Sequence, residues 1–374
     1  MLILSKPQIT SVMRILILNS IGKKKWGGGE KWMLMAAGGL IGKGHEVFIG
    51  CSPRSIIRQK AELSGIPVVN ISFNSDFDLI GAIRLVKVLK QQHITHLICV
   101  QNKDTKIGAV AALCVGGISI YARHGLQLIR KKWKYRFVFS KLLDGIITNS
   151  NSIKQEYDSY GWFSKDFVKV IFNGIRFPEN IESFNFHTAY NLPKDAVVIF
   201  SAGRLAKQKG FNVLIDVAAM ARQNKKNWYF FIAGKGKLER QLKQRLADEG
   251  LNDRVRLMGF MDDVLPYVQG ADLFVLPSFY EGMPNAVMEA MALGKCCVVT
   301  AVNGNNELIT EEQDGILVEP RNVFALFNAL NQVAEDSELR KTIGARARLK
   351  MKEYFQEAKM VENLEGFLLT SKRQ

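Results

Sequence analysis

The 374-residue sequence predicts two α/β domains, each with a parallel sheet. Length is the first reason, because a single hydrophobic core stops growing at about 250–300 residues. The second reason is that short β-branched apolar runs alternate with amphipathic segments of helix length, which is typical of parallel α/β structure. The third is that these runs are continuously apolar, so helices should cover both faces of each sheet.

Six strands are expected in each half of the chain. They lie at 14–19, 46–51, 68–72, 95–100, 118–123 and 145–149, and then at 196–203, 228–234, 254–259, 273–277, 297–301 and 315–319. The polar stretch 178–188 is the expected linker, which places the domains at 1–178 and 186–351. The segment 352–374 should be helical from about Lys352 to Leu369, and we expect it to pack back across the domain junction; a helix on the flank of the second domain is the alternative.

The net charge of +16 is unevenly distributed. Residues 1–178 hold 26 Lys and Arg against 10 Asp and Glu, whereas residues 179–374 hold 25 of each. All of the excess positive charge therefore lies in the first half, and it indicates what that half contacts. The candidates are an anionic membrane surface, a phosphorylated glycolipid and nucleic acid.

The sequence favours a cytoplasmic protein. Its apolar runs are shorter than the roughly 18 residues of a membrane-spanning helix. Residues 1–12 resemble a loose extension rather than a signal peptide, and translation could start at Met1 or at Met13. The five cysteines show no metal-like spacing and several fall in strands, so buried free thiols are expected, as in a reducing compartment.

Ligands of open α/β sheets bind beyond the carboxyl ends of the strands. The first strand is followed by a glycine run just before a helix expected to start near Glu30. Consecutive glycines let backbone amides approach an anion, and a helix N-terminus adds a favourable field. A tight turn would explain the run equally well. Its members are Gly27, Gly28 and Gly29.

The second domain opens with AGRLAKQKGF, in which Arg204 and Lys209 flank one loop after a strand. Arg offers a planar fork and Lys a mobile point charge, so the two can converge on one diphosphate. Both stay cationic at neutral pH and can neutralise charge that grows on a departing nucleoside diphosphate. A solvated, Lys-rich loop is the alternative.

The stretch LPSFYEGMPNAVMEAMALGKCCVVTA carries two glutamates next to a strand end. Glu281 lies on the loop, and Glu289 lies in the second turn of a helix for which Asn285 is the expected N-cap. Each carboxylate accepts paired hydrogen bonds from a diol, so the two suit sugar hydroxyls. Loop amides would meet phosphate or sugar oxygens, and the expected donor-binding residues of this loop are Gly282, Met283, Pro284 and Asn285.

The string EGMPNAVMEAMALGKCCVVT resembles the signature of retaining glycosyltransferases of family 4. Further matches occur in order along nearly the whole chain: GGGEK, RHG at 123–125, NSNSIKQEY at 149–157, VIFNGI at 170–175, GRLAKQKG at 203–210, IAGKGKL at 232–238 and GFMDDV at 259–264. The resemblance implies a GT-B fold, which has two facing Rossmann-like domains and a deep cleft between them.

For the second domain the resemblance implies that Arg204 and Lys209 hold the donor's diphosphate. Glu281 would contact the hydroxyls of the donor sugar and Glu289 the ribose. Amides near Gly282–Asn285 would meet the sugar and the phosphates. The nucleotide base would be stacked or read by Gly259 and Phe260.

For the first domain the resemblance implies that Gly27–Gly29 face the phosphates or the acceptor and that His124 lies near the sugar. A lone His is more often structural than catalytic. The sequence departs from the family pattern at Met283 and at Asn305 and Asn306, where an aromatic residue and a glycine-proline-like pair are usual. All three lie near the expected sugar site, so the donor sugar is not fixed by the resemblance.

The expected reaction moves a hexose from a nucleotide diphosphate sugar, with a UDP-linked donor favoured, to a glycan or glycolipid acceptor. By resemblance it retains the anomeric configuration and serves envelope polysaccharide or lipopolysaccharide assembly. No metal or other cofactor is expected, because Arg204 and Lys209 supply the cationic charge. N-capping explains Asp76 and Asp78, and the pair 262–263 likewise precedes a helix.

The run RKKWKYRFVF suits the interface of an anionic bilayer, because clustered cations are interleaved with aromatic rings. We therefore expect a peripheral location at the inner face of the cytoplasmic membrane, with no nucleic-acid partner. A solvated basic face over a buried aromatic stripe is the alternative. The docking residues are Arg130, Lys131, Lys132, Trp133 and Lys134.

Three other functions stay open. A nucleotide-sugar epimerase could share the double-Rossmann shape, but the sequence offers no evident acid–base pair for it. A nucleic-acid-binding protein would use the basic half but leaves the paired glutamates unexplained. A non-catalytic scaffold is disfavoured by the intact donor motifs.

Overall fold

The computed structural model describes residues 12–21, 26–125, 129–177 and 180–370. These residues divide into two compact units. Unit 1 comprises the described residues up to Asn149, together with Ile153–Ile171 and the chain from Met360 onward. Unit 2 comprises Ser150–Ser152 and Phe172–Lys359.

Unit 1 contains a seven-stranded sheet whose strand pairs are all parallel. Its strands are β1 (Arg14–Asn19), β2 (Glu46–Cys51), β3 (Val68–Asn70), β4 (His96–Cys99), β5 (Ser119–His124), β6 (Gly145–Thr148) and β7 (Val168–Val170). The strand order is β3-β2-β1-β4-β5-β6-β7. Strand β7 was not expected from the sequence, because three residues with a central lysine give too weak an apolar signal.

Six helices of the first half connect these strands. They are α1 (Gly28–Gly42), α2 (Ile56–Leu63), α3 (Leu79–Gln91), α4 (Asn102–Val115), α5 (Trp133–Lys141) and α6 (Asn151–Asp158). Both faces of the sheet are buried, as the continuous apolar runs predicted. In β1, Leu16 and Leu18 join a core with α3, α4, α5 and α6, whereas Ile15 and Ile17 join a core with α1 and α2.

Unit 2 contains a six-stranded parallel sheet. Its strands are β8 (Val197–Ala202), β9 (Trp228–Ala233), β10 (Val255–Gly259), β11 (Leu273–Leu276), β12 (Cys296–Thr300) and β13 (Ile316–Val318), in the order β10-β9-β8-β11-β12-β13. The helices are α7 (Phe186–Tyr190), α8 (Phe211–Gln223), α9 (Glu239–Asp248), α10 (Leu265–Gly270), α11 (Asn285–Ala292), α12 (Asn303–Leu308), α13 (Val323–Glu335) and α14 (Ser337–Tyr354).

The chain ends in α15 (Glu357–Thr370), so the single helix predicted from Lys352 to Leu369 is wrong. The break has a physical reason. Phe355 turns into the core of unit 2, and its carbonyl accepts a hydrogen bond of 2.7 Å from the amide of Ile175. The amide of Glu357 donates back to the Ile175 carbonyl at 3.1 Å. This β-bridge replaces helical hydrogen bonds at residues 355–356.

Helix α15 packs on unit 1 from Met360 onward. Its apolar residues join the core formed by α1, α2 and the sheet. Among them Leu364 is fully buried. The carboxylate of Glu365 binds both Lys43, at 2.7 Å, and the ring of His45, at 2.9 Å. Among all described helices, none is long and apolar enough to cross a membrane.

Truncating the buried face of α15 should destabilise unit 1. Leu364→Ala removes a fully buried side chain, and we expect it to lower the free energy of unfolding by about 2–5 kcal/mol. Leu369→Ala is the matched control on the same helix, because Leu369 is exposed; it should change stability by less than about 0.5 kcal/mol. Urea unfolding followed by circular dichroism measures both. Equal effects would contradict the packing of α15.

Candidate active site

The loops that follow β8 and β11 are in direct backbone contact. Gly210 has φ of +67°, and a Cβ atom on it would lie 1.9 Å from the carbonyl oxygen of Pro277. A second close approach occurs at Gly304, where a Cβ would lie 1.3 Å from the carbonyl oxygen of Gly282. Only glycine fits at these two positions, so the loops after β8, β11 and β12 are drawn together around residues 278–283.

Lys209 and Glu281 form an ion pair in this region. The ammonium of Lys209 binds Oε1 of Glu281, and the hydroxyl of Ser278 donates to the same oxygen at 2.6 Å. Both side chains are largely withdrawn from solvent, with relative exposures of 16% for Lys209 and 7% for Glu281. A carboxylate this deeply buried needs its cation and its hydrogen bond, because an unpaired buried charge is costly.

Three further polar residues hydrogen-bond to backbone carbonyls at and near Ser278. The hydroxyl of Thr300 donates to the carbonyl of Ser278, and the side-chain amide of Asn305 donates to the carbonyl of Thr300 at 2.8 Å. Gln208 donates from its side chain to the carbonyl of Tyr280 at 2.9 Å. The sequence analysis missed Ser278 and Thr300 as site residues. Their signal was position: each is a polar residue at the end of a continuously apolar run.

Arg204 and Glu289 lie near the ends of the same neighbouring strands. Arg204 follows β8 and is exposed, and its guanidinium has no ion pair or side-chain hydrogen bond with other described residues. Glu289 lies half-buried in the second turn of α11, which follows β11. The carboxyl ends of adjacent parallel strands meet at one sheet edge, and that edge carries all four of the predicted charged residues.

The loop before α11 differs from its predicted capping. Pro284, not Asn285, occupies the N-cap position, and it offers no side-chain cap. Asn285 is the first helical residue. Its side-chain oxygen accepts a hydrogen bond of 2.9 Å from Asn173 instead of capping the helix. Gly282 and Met283 are buried beside it.

The edge extends to β10 on its other side. The amide of Gly234, after β9, donates to the carbonyl of Gly259 at 2.7 Å. Gly259 ends β10 with φ of +75°, and the next residue, Phe260, is exposed. An exposed aromatic ring at the end of a strand is a suitable surface on which a planar base could stack.

In unit 1, His124 is buried at the end of β5. Its Nδ1 atom is hydrogen-bonded to the hydroxyl of Tyr157 at 2.7 Å. Its Nε2 atom is buried and has no hydrogen-bond partner among the described residues. Burial, together with the nearby Arg123 guanidinium, lowers the pKa of His124 to about 3. The ring is therefore neutral near pH 7, with one nitrogen left for a ligand.

The neighbouring strand end repeats this feature. Thr148 pairs in register with His124, and its hydroxyl oxygen is buried without a hydrogen-bond partner in the described chain. The same holds for the side-chain oxygen of Asn149. Buried polar atoms in native proteins are normally satisfied by protein, water or ligand. The sequence analysis did not single out these two residues, although both end an apolar run.

The predicted glycine run lies at the start of α1. Gly27 is the N-cap in an extended conformation, and the helix begins at Gly28, two residues before the expected start. The carboxylate of Glu30 lies buried in the first turn and accepts a hydrogen bond of 3.0 Å from Asn19. A carboxylate of the chain itself thus partly offsets the positive field of this helix N-terminus. Residues 22–25 of the loop lie outside the described ranges.

Of the acidic pairs at 76 and 78 and at 262–263, three carboxylates have local partners. Asp76 forms an ion pair with Lys106, and Asp78 caps α3 by accepting from the amide of Gly81 at 2.8 Å. Asp263 accepts from the amide of Leu265 at 2.9 Å, just before α10. Within the described ranges, no group of three or more His, Cys, Asp or Glu could hold a metal ion.

Both halves of the chain match known glycosyltransferase families. Residues 182–350 match the family described as Glycosyl transferases group 1, and residues 26–177 match the one described as Glycosyltransferase Family 4. The chain belongs to the family 4 glycosyltransferases. Its fold class is GT-B, as the sequence predicted.

Two curated relatives are similar to this glycosyltransferase in sequence, and one solved structure is similar to it in fold. The UDP-Gal:alpha-D-GlcNAc-diphosphoundecaprenol alpha-1,3-galactosyltransferase of Escherichia coli is 28% identical over 70% of this chain and 72% of its own length. The lipopolysaccharide core biosynthesis glycosyltransferase LpsE of Rhizobium meliloti is 28% identical over 56% of this chain and 60% of its own. HepE of Anabaena, solved with UDP, has a TM-score of 0.81 at 21% identity over 95% of this chain and 99% of its own.

The predicted docking residues of the glycosyltransferase lie on its surface. Arg130, Lys131 and Lys132 are exposed, and Trp133 is exposed to 85%. The side chain of Lys134 lies outside the described part of the structure. Of the five cysteines, four are buried free thiols as expected, and Cys114 is exposed.

Removing the cation from the buried ion pair should destabilise unit 2. We expect Lys209→Ala to lower the free energy of unfolding by about 1–3 kcal/mol, because Glu281 keeps a buried charge without its partner. Lys207→Ala is the control in the same turn, since Lys207 is exposed. The double variant Lys209→Ala/Glu281→Gln should recover part of the loss. Urea unfolding measures all four proteins, and a double variant no better than Lys209→Ala would refute the pairing.

The pKa of His124 predicts its behaviour on acidification. Because the pKa in the folded state is lowered to about 3, the neutral ring contributes stability above the ordinary pKa of about 6.5, and this is lost as the pH falls from there toward 3. Nitrogen-15 NMR should find the His124 ring neutral from pH 8 to pH 5, with assignment from the His124→Gln spectrum. A protonation midpoint between pH 5 and 7 would contradict the buried environment.

Proposed function

We propose that this glycosyltransferase moves a hexose from a UDP-linked donor to a glycan or glycolipid acceptor in envelope polysaccharide or lipopolysaccharide assembly. The observation that carries the proposal is the buried Lys209–Glu281 pair held by Ser278. It presents a cation and a carboxylate side by side at the carboxyl edge of the unit 2 sheet. A sugar diphosphate needs both groups: a cation for its phosphates and an acceptor for its hydroxyls.

Lys209 and Arg204 act on the departing diphosphate. Negative charge grows on the leaving oxygen as the bond to the sugar breaks, and a preplaced cation stabilises it. Lys209 is held in place before the donor arrives, because it is already bound to Glu281. Arg204 is exposed and adds a fork of donors that suits two phosphate oxygens. Lys209 and Glu281 neutralise each other, whereas Arg204 keeps its positive charge. The bound diphosphate would compensate that charge.

Glu281 acts on the sugar. Ser278 donates to its Oε1 atom, so the carboxylate stays oriented even when Lys209 turns toward phosphate. Its other oxygen accepts from sugar hydroxyls, and these bonds orient the anomeric carbon. The loop next to Glu281 provides backbone amides that bind sugar or phosphate oxygens. They belong to Gly282, Met283 and Asn285, the first residue of α11, whereas Pro284 has no N–H to donate.

The nucleoside contacts complete the donor site. Glu289 on α11 accepts hydrogen bonds from the ribose hydroxyls, and Phe260 stacks on the base beside Gly259. Uridine is the favoured base because the Escherichia coli relative is named for a UDP-linked galactose and HepE was solved with UDP. Both are proteins of the same fold or family, and they support the proposal by likeness.

In unit 1, His124 contributes a neutral polar contact. A ring whose pKa is about 3 is too weak a base to take a proton from an acceptor hydroxyl at neutral pH. We assign it a hydrogen bond from Nε2 to a sugar hydroxyl, and we assign the acceptor's proton to the leaving diphosphate. This front-face route retains the anomeric configuration. Gly27, Gly28 and Gly29 then face phosphate or acceptor oxygens.

The acceptor side is proposed to meet a membrane at its cytoplasmic face. The relatives support a lipid-linked acceptor, because the Escherichia coli relative is named for a diphosphoundecaprenol substrate. The exposed residues Arg130, Lys131, Lys132 and Trp133, with Lys134, would hold unit 1 against anionic headgroups. No metal is needed, since Lys209 and Arg204 supply the cationic charge.

Donor binding by calorimetry tests the proposal. We expect UDP to bind the wild type in the presence of EDTA, and a UDP concentration of 100 Kd to stabilise the fold by about 2.7 kcal/mol. Arg204→Ala should weaken UDP binding roughly 10- to 100-fold, because a charge-assisted contact is lost. Arg240→Ala is the matched control, as Arg240 is an exposed arginine on α9 of the same unit.

The reaction itself is followed with UDP-hexoses and a lipid-linked acceptor, and the anomeric proton of the product is read by NMR. Retention and insensitivity to EDTA are expected. Inversion, a requirement for divalent metal, isomerisation of the donor without transfer, or equal UDP affinities of the two arginine variants would each overturn the corresponding part of the proposal.

A further inference from the structure

Large apolar side chains are exposed together at the start of α3. Phe77, Leu79, Ile80 and Ile83 lie within seven positions, and their relative exposures range from 62% to 93%. Single exposed apolar residues are ordinary, but a cluster of this kind marks an interaction site. The loop and first turn of a helix therefore present an apolar surface that the fold itself leaves uncovered.

The inner face of α3 already secures the helix. Leu85 and Leu89 are buried in the core of unit 1, and Asp78 caps the first turn through the amide of Gly81. The outer face continues from the apolar residues to Arg84, Lys87 and Lys90, all three of which are exposed. The exposed face of α3 is thus apolar at its start and cationic beyond it, without being needed for folding.

Contacts of Lys106 connect this cluster with the start of α5. Its ammonium forms the ion pair with Asp76, which precedes Phe77, and lies 5.4 Å from the ring centre of Tyr135. Trp133 and Phe137 lie two positions before and after Tyr135 and are exposed, and they face away from Tyr135 because positions two apart lie on opposite sides of a helix. We name the exposed apolar residues at the start of α3 the apolar rim: Phe77, Leu79, Ile80 and Ile83.

The charge around the apolar rim has one sign. Helices α3, α4 and α5 contain eight basic residues: Arg84, Lys87, Lys90, Lys103, Lys106, Lys134, Arg136 and Lys141. Their single acidic residue is Asp104, and it is fully buried. The acids that precede α3 are engaged locally, Asp76 with Lys106 and Asp78 as the helix cap.

We propose that the apolar rim inserts into an anionic lipid bilayer. Exposed apolar and aromatic side chains surrounded by cations match the boundary between acyl chains and anionic headgroups. A second copy of this chain is a poor occupant, because a symmetric interface would bring the same positive charges face to face. Nucleic acid would engage the cations but offers no apolar environment for Leu79, Ile80 and Ile83.

The inference rests on the membrane contact proposed for residues 130–134 and deepens it. It assigns the apolar contribution to α3, on which the sequence analysis placed no binding residue. The cations draw unit 1 to the surface, and their effect should fall with salt. The apolar rim then buries surface in the bilayer, and this part should persist at high salt.

Flotation of the full-length protein with vesicles tests the apolar rim. The vesicles contain either phosphatidylcholine with about 30% phosphatidylglycerol, an anionic lipid, or phosphatidylcholine alone. We expect the triple variant Leu79→Ser/Ile80→Ser/Ile83→Ser to bind anionic vesicles at least tenfold more weakly than wild type. Leu63→Ser is the control, because Leu63 is even more exposed but ends α2, on the other face of the sheet.

Brominated lipids give a second measurement on a chain that keeps its fold. They should quench the fluorescence of wild type, and the quenching should fall in the triple variant of α3, because its apolar contact with the bilayer is lost. Circular dichroism and UDP affinity of the triple variant should match wild type, since the altered residues lie on the surface of unit 1.

The outcomes separate the two proposals. If Lys131→Glu/Lys132→Glu/Lys134→Glu abolishes binding but the α3 variant binds as wild type does, the apolar rim is refuted and docking by residues 130–134 stands. If neither variant changes binding, both fall, while donor binding is judged separately by calorimetry. Dimers that dissociate in the triple variant, with no vesicle binding by wild type, would assign the surface to self-association and overturn the proposal.

Discussion

The donor site proposed for this glycosyltransferase depends on one buried ion pair. Lys209 and Glu281 come from loops 72 positions apart in the chain, and they meet because β8 and β11 are neighbours in the sheet. Gly210 lets the two loops approach at backbone distance, and Ser278 fixes the carboxylate. A buried charge pair stabilises little by itself, but losing either member is costly. The site is therefore assembled before any ligand arrives.

Unit 1 differs from unit 2 in the polar groups at its strand ends. It holds buried polar groups at strand ends, where His124, Thr148 and Asn149 keep atoms without partners among the described residues. Burial keeps the ring of His124 neutral, so the role proposed for it is a hydrogen bond and not a charge contact. Its positive charge lies outside, on helices that leave apolar residues exposed. The cations proposed to bind the diphosphate thus lie in unit 2, whereas the cations proposed to face a membrane lie in unit 1.

Much of this could be predicted from the sequence. Continuous apolar runs gave twelve of the thirteen strands to within a few residues, and the motif around Glu281 gave the family. The misses have physical causes. The last helix is broken where Phe355 and Gln356 bridge to the distant residue Ile175, and Asn285 bonds Asn173 and does not cap its helix; both arrangements depend on tertiary contacts. Ser278 and Thr300 were missed because a hydroxyl's role depends on which carboxylate or carbonyl it meets.

A crystal structure of the enzyme with UDP tests the central claim most directly. The account predicts a diphosphate oxygen within about 3 Å of the Lys209 ammonium, with Glu281 still accepting the hydrogen bond from Ser278. The guanidinium of Arg204 should bind the same diphosphate. A UDP molecule bound away from the carboxyl ends of β8 and β11, with Lys209 and Glu281 paired as before, would contradict it.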